Sequence, residues 1–156
     1  MKILIIVKSK HNDNTLKIAE AMSEVAPVTV ATLDNAKHYN LSEYDIVGYG
    51  SGIYFGKHDK ELLKFIESID SNKSYCFVFS TSGSKSFEKN NNCIIKLLES
   101  KNKVVLDSFG CLGLDKFFIF ALGGGFNKNR PDISDFEAAQ NFMMRIMEKY
   151  KQAKHH

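Results

Sequence analysis

The chain has 156 residues, 44% of them hydrophobic and 25% charged, and its 21 basic against 18 acidic side chains leave a formal charge of +3. That is ordinary globular composition, consistent with one domain over 1–156 that builds its own core. So mild a charge, with the lysines scattered, argues against nucleic-acid binding, and no apolar run approaches the roughly 18 residues of a membrane span. The start carries no basic leader with a cleavage site, so a cytoplasmic protein is expected. Cys76, Cys93 and Cys111 lie far apart without a C-x-x-C pair, which suggests neither a zinc site nor a disulfide framework. Cys76 and Cys111 fall in strand-like runs and are expected as buried thiols.

Apolar, β-branched runs alternate with helical periodicity from end to end, the pattern of strand–helix–strand units on a parallel sheet. Strands are expected near 2–7, 28–33, 45–50, 75–80 and 104–110, and helices near 15–25, 58–69, 87–100 and 133–150. In the last helix Phe136, Ala139, Met143, Ile146 and Tyr150 recur at three and four, and Asp132 with Asp135 resembles a capping box after Pro131. A helix precedes strand two and a looser segment, 34–43, precedes strand three, so the connections cover both sheet faces. Right-handed crossovers then favour a doubly wound α/β sandwich of three layers on a five-stranded parallel sheet of order 2-1-3-4-5. Ligands of such sheets bind beyond the carboxyl ends of the strands, where the winding reverses between strands one and three.

Three loops at that edge carry the chemistry. Strand one runs into a polar hinge, 9–15, ahead of an amphipathic helix whose first N–H groups have no intrahelical partner and attract anions. Ser9, Asn12, Asn14 and Thr15 add hydroxyls and amides there, and Lys10 and His11 add potential cations. The plainer alternative is that Asp13 or Asn14 simply caps the helix. After strand three, Gly50-Ser51-Gly52-Ile53-Tyr54-Phe55-Gly56-Lys57 places three large apolar residues where a loop is normally polar. Such a run needs a flat apolar ligand or a partner to cover it, unless it folds back into the core. After strand four, Ser80-Thr81-Ser82-Gly83-Ser84 is small and rich in backbone donors. Gly50 and Gly56 do not make a phosphate-binding P-loop, strand one is followed by no dinucleotide-type glycines, and no serine-nucleophile elbow is present.

With these residues in view, the chain resembles the flavodoxin-like family. The resemblance is carried by 44–65 (YDIVGYGSGIYFGKHDKELLKF), similar to the third strand, flavin loop and next helix of small bacterial members, by 79–83 (FSTSG), and by 122–138 (LGGGFNKNRPDISDFEA). It implies a flavodoxin-like fold and FMN as cofactor. Ser9, Asn12, Asn14 and Thr15, with the backbone from Lys10 and His11 onward, would hold the phosphate. Ile53 and Tyr54 would flank the ring system, with the backbone from Tyr54 through Phe55 to Gly56 near its N5 and Gly52 at the loop's base. The segment from Ser80 through Thr81, Ser82 and Gly83 would meet the pyrimidine edge, and Phe87 offers a second stacking ring.

The family usually has a glycine where this chain has Asp13. Asp tolerates left-handed backbone, but a carboxylate about 5 Å from a phosphate is repelled by roughly 3 kcal/mol per charge pair unless it faces solvent or pairs with Lys10 or Lys17. Lys57, His58 and Lys60 beside the flavin loop would favour a negatively charged reduced cofactor. No catalytic side chain is required, although His58 or Tyr54 offers a proton. The function implied is an FMN-dependent redox protein that passes electrons to a partner protein or reduces a small acceptor such as a quinone. The rivals are a flavin-free binding or regulatory module and a dedicated flavoenzyme such as a flavodoxin-like protoporphyrinogen oxidase.

Overall fold

A computed structural model describes residues 1–10, 13–113 and 129–156. Its chain order is β1 (Ile3–Lys8), α1 (Asn14–Ser23), β2 (Val28–Thr32), two short 3₁₀ turns (Leu33–His38 and Leu41–Glu43), β3 (Ile46–Tyr54), β4 (Lys57–His58), α2 (Lys60–Ser68), β5 (Ser74–Ser82), α3 (Phe87–Ser100), β6 (Lys103–Leu112) and α4 (Ile133–Lys154). The five long strands are parallel in the order β2-β1-β3-β5-β6, which is the expected 2-1-3-4-5 once the short antiparallel β4 is set aside.

The apolar runs explain the layering. Ile3, Ile5, Val7, Ile46, Phe77 and Phe79 point to one face, where Ile18, Ala19 and Met22 of α1 and Ala139, Phe142, Met143, Ile146 and Tyr150 of α4 cover them. Leu4, Ile6, Val47, Tyr49, Cys76 and Val78 point to the other, beneath Leu62 and Ile66 of α2 and Ile94 and Leu98 of α3. Strands buried on both faces have no polar alternation to display, which is why β1 reads as a continuous apolar run. The buried thiols expected at Cys76 and Cys111 are found, whereas Cys93 on α3 is exposed.

Three local features position the edge loops. Gly48 and Gly50 lie opposite Phe77 and Phe79 on the neighbouring strand, and a Cβ on either glycine would come within 2.3 Å and 2.2 Å of the facing ring. The bare glycine backbone is therefore the surface on which these two rings lie. The β5–β6 register shifts between Cys76 and Val78, where β6 carries one extra residue, so Leu106 and Phe109, three apart, serve the same face. The capping box at Asp132 and Asp135 is present and starts α4 as expected.

Two expectations are corrected. The helix expected from His58 begins at Lys60, because Asp59 caps it by accepting from the Glu61 N–H at 2.8 Å, and His58 belongs to β4. Strand three does not stop at Gly50 but runs on to Tyr54, through what reads in sequence as a loop. Among the described residues no helix is long and apolar enough to cross a membrane.

Candidate functional site

The carboxyl ends of β1, β3 and β5 lie side by side, and each delivers one of the three loops. At the first, Asp13 holds the N-cap position of α1 in left-handed backbone, φ 54° and ψ 32°, without a side-chain capping bond and with its side chain exposed. Asp13 thus takes the conformation a glycine would supply, and its carboxylate faces solvent. The Ser9 hydroxyl lies 3.4 Å from the Leu16 N–H, and no acidic residue stands in the first turn of α1. Asn14 is buried against Gly113 beyond β6, where a Cβ would come within 2.8 Å of its side-chain nitrogen. His11 and Asn12 lie outside the described residues, as does 114–128.

Lys10 does not pair with Asp13. Its Nζ sits 2.9 Å from a carboxylate oxygen of Asp59, whose side chain is only 2% exposed, and 5.2 Å from the centre of the Tyr54 ring. Burial pushes the Asp59 carboxyl up, but Lys10 and the Glu61 N–H more than offset it, leaving the group below the usual carboxylate range.

The second loop is a hairpin. Ile53 pairs with His58 and Tyr54 with Lys57, leaving Phe55 and Gly56 as a two-residue turn with φ 53° and 77°. Two successive positive φ angles give the I′ geometry, whose twist matches the strands it joins. Gly56 takes this conformation freely; Phe55 does so against its Cβ. The run does not fold back into the core: Phe55 is 94% exposed, and Ile53 and Tyr54 are half-buried. Tyr54 lies back along its strand, its hydroxyl 2.8 Å from where a Cβ on Gly52 would stand. Gly52 thus makes room for the ring, and the Lys10 ammonium lies over it.

At the third loop the Thr81 hydroxyl meets that of Thr15 at 2.8 Å, tying β5 to α1, with both residues buried. Ser82 donates to the Ser84 carbonyl, and the Gly113 N–H donates to the Ser82 carbonyl at 3.0 Å. Ser80 is fully buried, and Gly83 is exposed. Phe87 packs over Gly110, where a Cβ would come within 2.6 Å of it.

Behind the hairpin lies a buried Ser51–His58–Asn91 network that sequence reasoning, which named His58 as a cation or proton source, did not foresee. His58 is 3% exposed rather than a surface residue; its Nδ1 lies 2.8 Å from the Ser51 hydroxyl and its Nε2 2.8 Å from Asn91 Oδ1. Burial pulls the imidazole down to about 4, so it is neutral at pH 7 and adds no charge to Lys57 and Lys60. The sequence signal available was weak: a histidine one residue before a capping aspartate.

The site is therefore the carboxyl edge of a doubly wound sheet, bounded by a helix start whose N-cap residue Asp13 makes no side-chain capping bond, an aromatic hairpin and a loop of small polar residues. These features define a flavodoxin-fold protein. A profile of the flavodoxin-domain family matches residues 4–155, and the chain belongs to that family. It is 37% identical over 151 residues to an uncharacterized protein of Methanocaldococcus jannaschii, covering 94% of this chain and 99% of that one. Among solved structures it is similar to a flavodoxin from the domain Archaea (TM-score 0.75, 19% identity, 97% and 99% of the two chains) and to oxidised flavodoxin 2 of Bacillus cereus (0.70, 20%, 96% and 99%). It also matches the rubredoxin oxygen:oxidoreductase of Desulfovibrio gigas at TM-score 0.72 and 15% identity, over 97% of this chain and 36% of that one.

Family membership implies FMN, and the residues present fit it. The left-handed Asp13 puts no side-chain cap on the first turn of α1, whose N–H groups would meet an anion, and the hairpin carrying Ile53 and Tyr54 would give the ring an apolar wall. The exposed backbone at Gly83, beyond Ser82, would meet the ring's polar edge. FMN, when bound, supplies one- and two-electron chemistry; the protein's part is to hold, orient and shield it.

Proposed function

We propose that this chain holds FMN at the carboxyl edge of β1, β3 and β5 and either passes electrons to a redox partner or reduces a small acceptor such as a quinone. The observation that carries the reading is the hairpin: an apolar Ile53–Tyr54 wall that is neither in the core nor fully in water, with the ammonium of Lys10 from the hinge before α1 5.2 Å from the Tyr54 ring centre. In this reading Ser9 and the first N–H groups of α1 bind the phosphate, with Asn14 and Thr15 shaping the turn around it. Ile53 and Tyr54 exclude water from one face of the ring, and Thr81, Ser82 and Gly83 orient its polar edge.

Lys10 plays a different part from a simple phosphate ligand, because Asp59 already engages its ammonium. It clamps Tyr54 in place. Lys57 and Lys60 are exposed at the hairpin and the start of α2, and each positive charge about 8 to 10 Å from the ring would favour a negatively charged reduced form by roughly 1.5 to 2 kcal/mol, less in salt. Such surroundings suit the reduction of acceptors better than the delivery of electrons at very low potential.

The deciding experiment is a visible absorbance spectrum of the purified protein with and without added FMN, paired with thermal unfolding. Bound FMN absorbs visible light, and a ligand present at about 100 times its Kd stabilises the fold by about 2.7 kcal/mol. The absence of both a flavin spectrum and a shift at FMN concentrations far above micromolar would replace this reading with that of a flavin-free binding module. Screening quinones and small redox proteins as acceptors then separates an enzyme from a carrier.

A further inference from the structure

The Ser51 hydroxyl has one proton and more partners than that proton can serve. It accepts from the Asp59 N–H at 3.0 Å and lies 2.8 Å from both the Gly52 carbonyl and His58 Nδ1. The tautomer of His58 settles where the proton goes. Asn91 donates through Nδ2 to the Phe109 carbonyl at 3.2 Å, so its Oδ1 is an acceptor, and His58 must carry its hydrogen on Nε2 to meet it. Nδ1 is then a bare lone pair that competes with the Gly52 carbonyl for the Ser51 proton.

The surroundings set this layer apart from the rest of the face. The same sheet face is apolar elsewhere, from Leu4 to Val78. Here it holds Ser51, Ser80, His58, Asn90 and Asn91, all buried, and Ser80 Oγ and Asn90 Nδ2 have no hydrogen-bond partner among the described residues. Ser80 stands opposite Ser51 in register, and Asn90 precedes Asn91 on α3. Orphaned buried polar atoms cost stability, and an apolar layer would avoid that cost.

We propose that His58 is a positioning residue for the flavin wall: by drawing the Ser51 hydroxyl to Nδ1 and fastening Nε2 to Asn91, it fixes the end of β3 and the Ile53–His58 hairpin against α3. The inference rests on the FMN reading above and adds how the wall is held. Ser51 is the end of the relay that bears on Gly52 and hence on Tyr54; Asn91 is the anchor.

The two ends of the imidazole can be separated by substitution in the full-length protein. His58→Asn places an amide oxygen near the position of Nδ1 and keeps the Ser51 end; His58→Gln reaches the position of Nε2 and keeps only the Asn91 end. Titration of FMN fluorescence is expected to show affinity weakened roughly 3- to 10-fold in His58→Gln and in Ser51→Ala, but kept within about twofold in His58→Asn, with thermal unfolding of both His58 variants lowered alike. Ring-nitrogen NMR of the flavin-free wild type is expected to show His58 with Nε2 protonated and Nδ1 bare. An Nδ1–H tautomer, equal affinities in the Asn and Gln variants, or unchanged affinity in Ser51→Ala overturns the proposal. Ser51→Ala removes a single oxygen atom and carries the test if a His58 variant fails to fold. If the wild type binds no FMN, the functional reading falls, and the relay is judged separately from backbone amide resonances of 52–56. These should move in His58→Gln and Ser51→Ala and hold their places in His58→Asn; without that contrast the relay is wrong.

Discussion

Lys10 and Asp59 come from different segments, one in the hinge after β1 and the other at the cap of α2, and their charged atoms meet at 2.9 Å, with the Lys10 ammonium 5.2 Å from the centre of the Tyr54 ring. The pair links the phosphate-side hinge to the aromatic hairpin, and it leaves Asp59 without a counter-ion whenever Lys10 is removed. Lys10→Gln is expected to lower stability by about 1 kcal/mol, the partly exposed lysine keeping the effect well below that of a fully buried pair. A double-mutant cycle with Asp59→Asn, read by urea unfolding, should give a coupling of about the same size. Strict additivity of the two changes would show the contact to be without energetic weight.

The hairpin tip makes the opposite forecast. Phe55 occupies left-handed backbone at φ 53° with almost its entire side chain in solvent, so Phe55→Asn removes little burial and relieves backbone strain. Stability should rise by about 1 kcal/mol. An unchanged or lowered unfolding midpoint would mean that the Phe55 ring contributes contacts that outweigh its backbone cost.

Acid should weaken the fold through His58. Its imidazole titrates near 6.5 when unfolded and at about 4 in the fold, so between these values the unfolded chain binds more proton. The stability gained by keeping His58 neutral is complete above about pH 6.5 and is lost as pH falls toward 4, amounting to about 3 kcal/mol. Asp59, held below its ordinary range, adds a loss of the same sign at lower pH. Urea unfolding of the wild type and His58→Asn between pH 7 and 4.5 tests this: the wild-type curve should fall more steeply, and parallel curves would reject it.

Asp13→Gly is expected to tighten FMN binding by only about twofold, because the solvent-facing carboxylate repels the phosphate weakly. The substitution preserves the left-handed turn at φ 54°, forfeits no capping bond, and removes a negative charge from the approach to the phosphate. Flavin titration of the two proteins is the measurement. Weaker binding by the glycine variant would mean that the Asp13 side chain orders the hinge.

What the sequence displayed and what it hid divide along the range of the interactions. The strand at Ile3–Lys8 announces itself through its local apolar run and Ile46–Tyr54 only through its first half, while α4 shows through Phe136, Ala139 and Met143 together with its Asp132–Asp135 cap. The hairpin at Phe55–Gly56 escaped because its turn lacks the Asn-Gly or Asp-Gly pair that usually marks I′ geometry, with phenylalanine standing in the strained position. Lys10–Asp59 and His58–Asn91 join residues 49 and 33 positions apart, and nothing local records such a pairing. The extra residue in β6 is equally silent, since it shows only when two strands are laid side by side.

The contact of Phe77 with Gly48, repeated by Phe79 with Gly50, also constrains how this sequence can drift. A ring resting on bare backbone leaves no volume for even one methyl group, so neither glycine can change first. A smaller residue at 77 or 79 must arise beforehand, opening a void until position 48 or 50 fills it. The middle of the sheet therefore evolves in pairs, and a side chain at either glycine should be met only where the facing aromatic has already been given up.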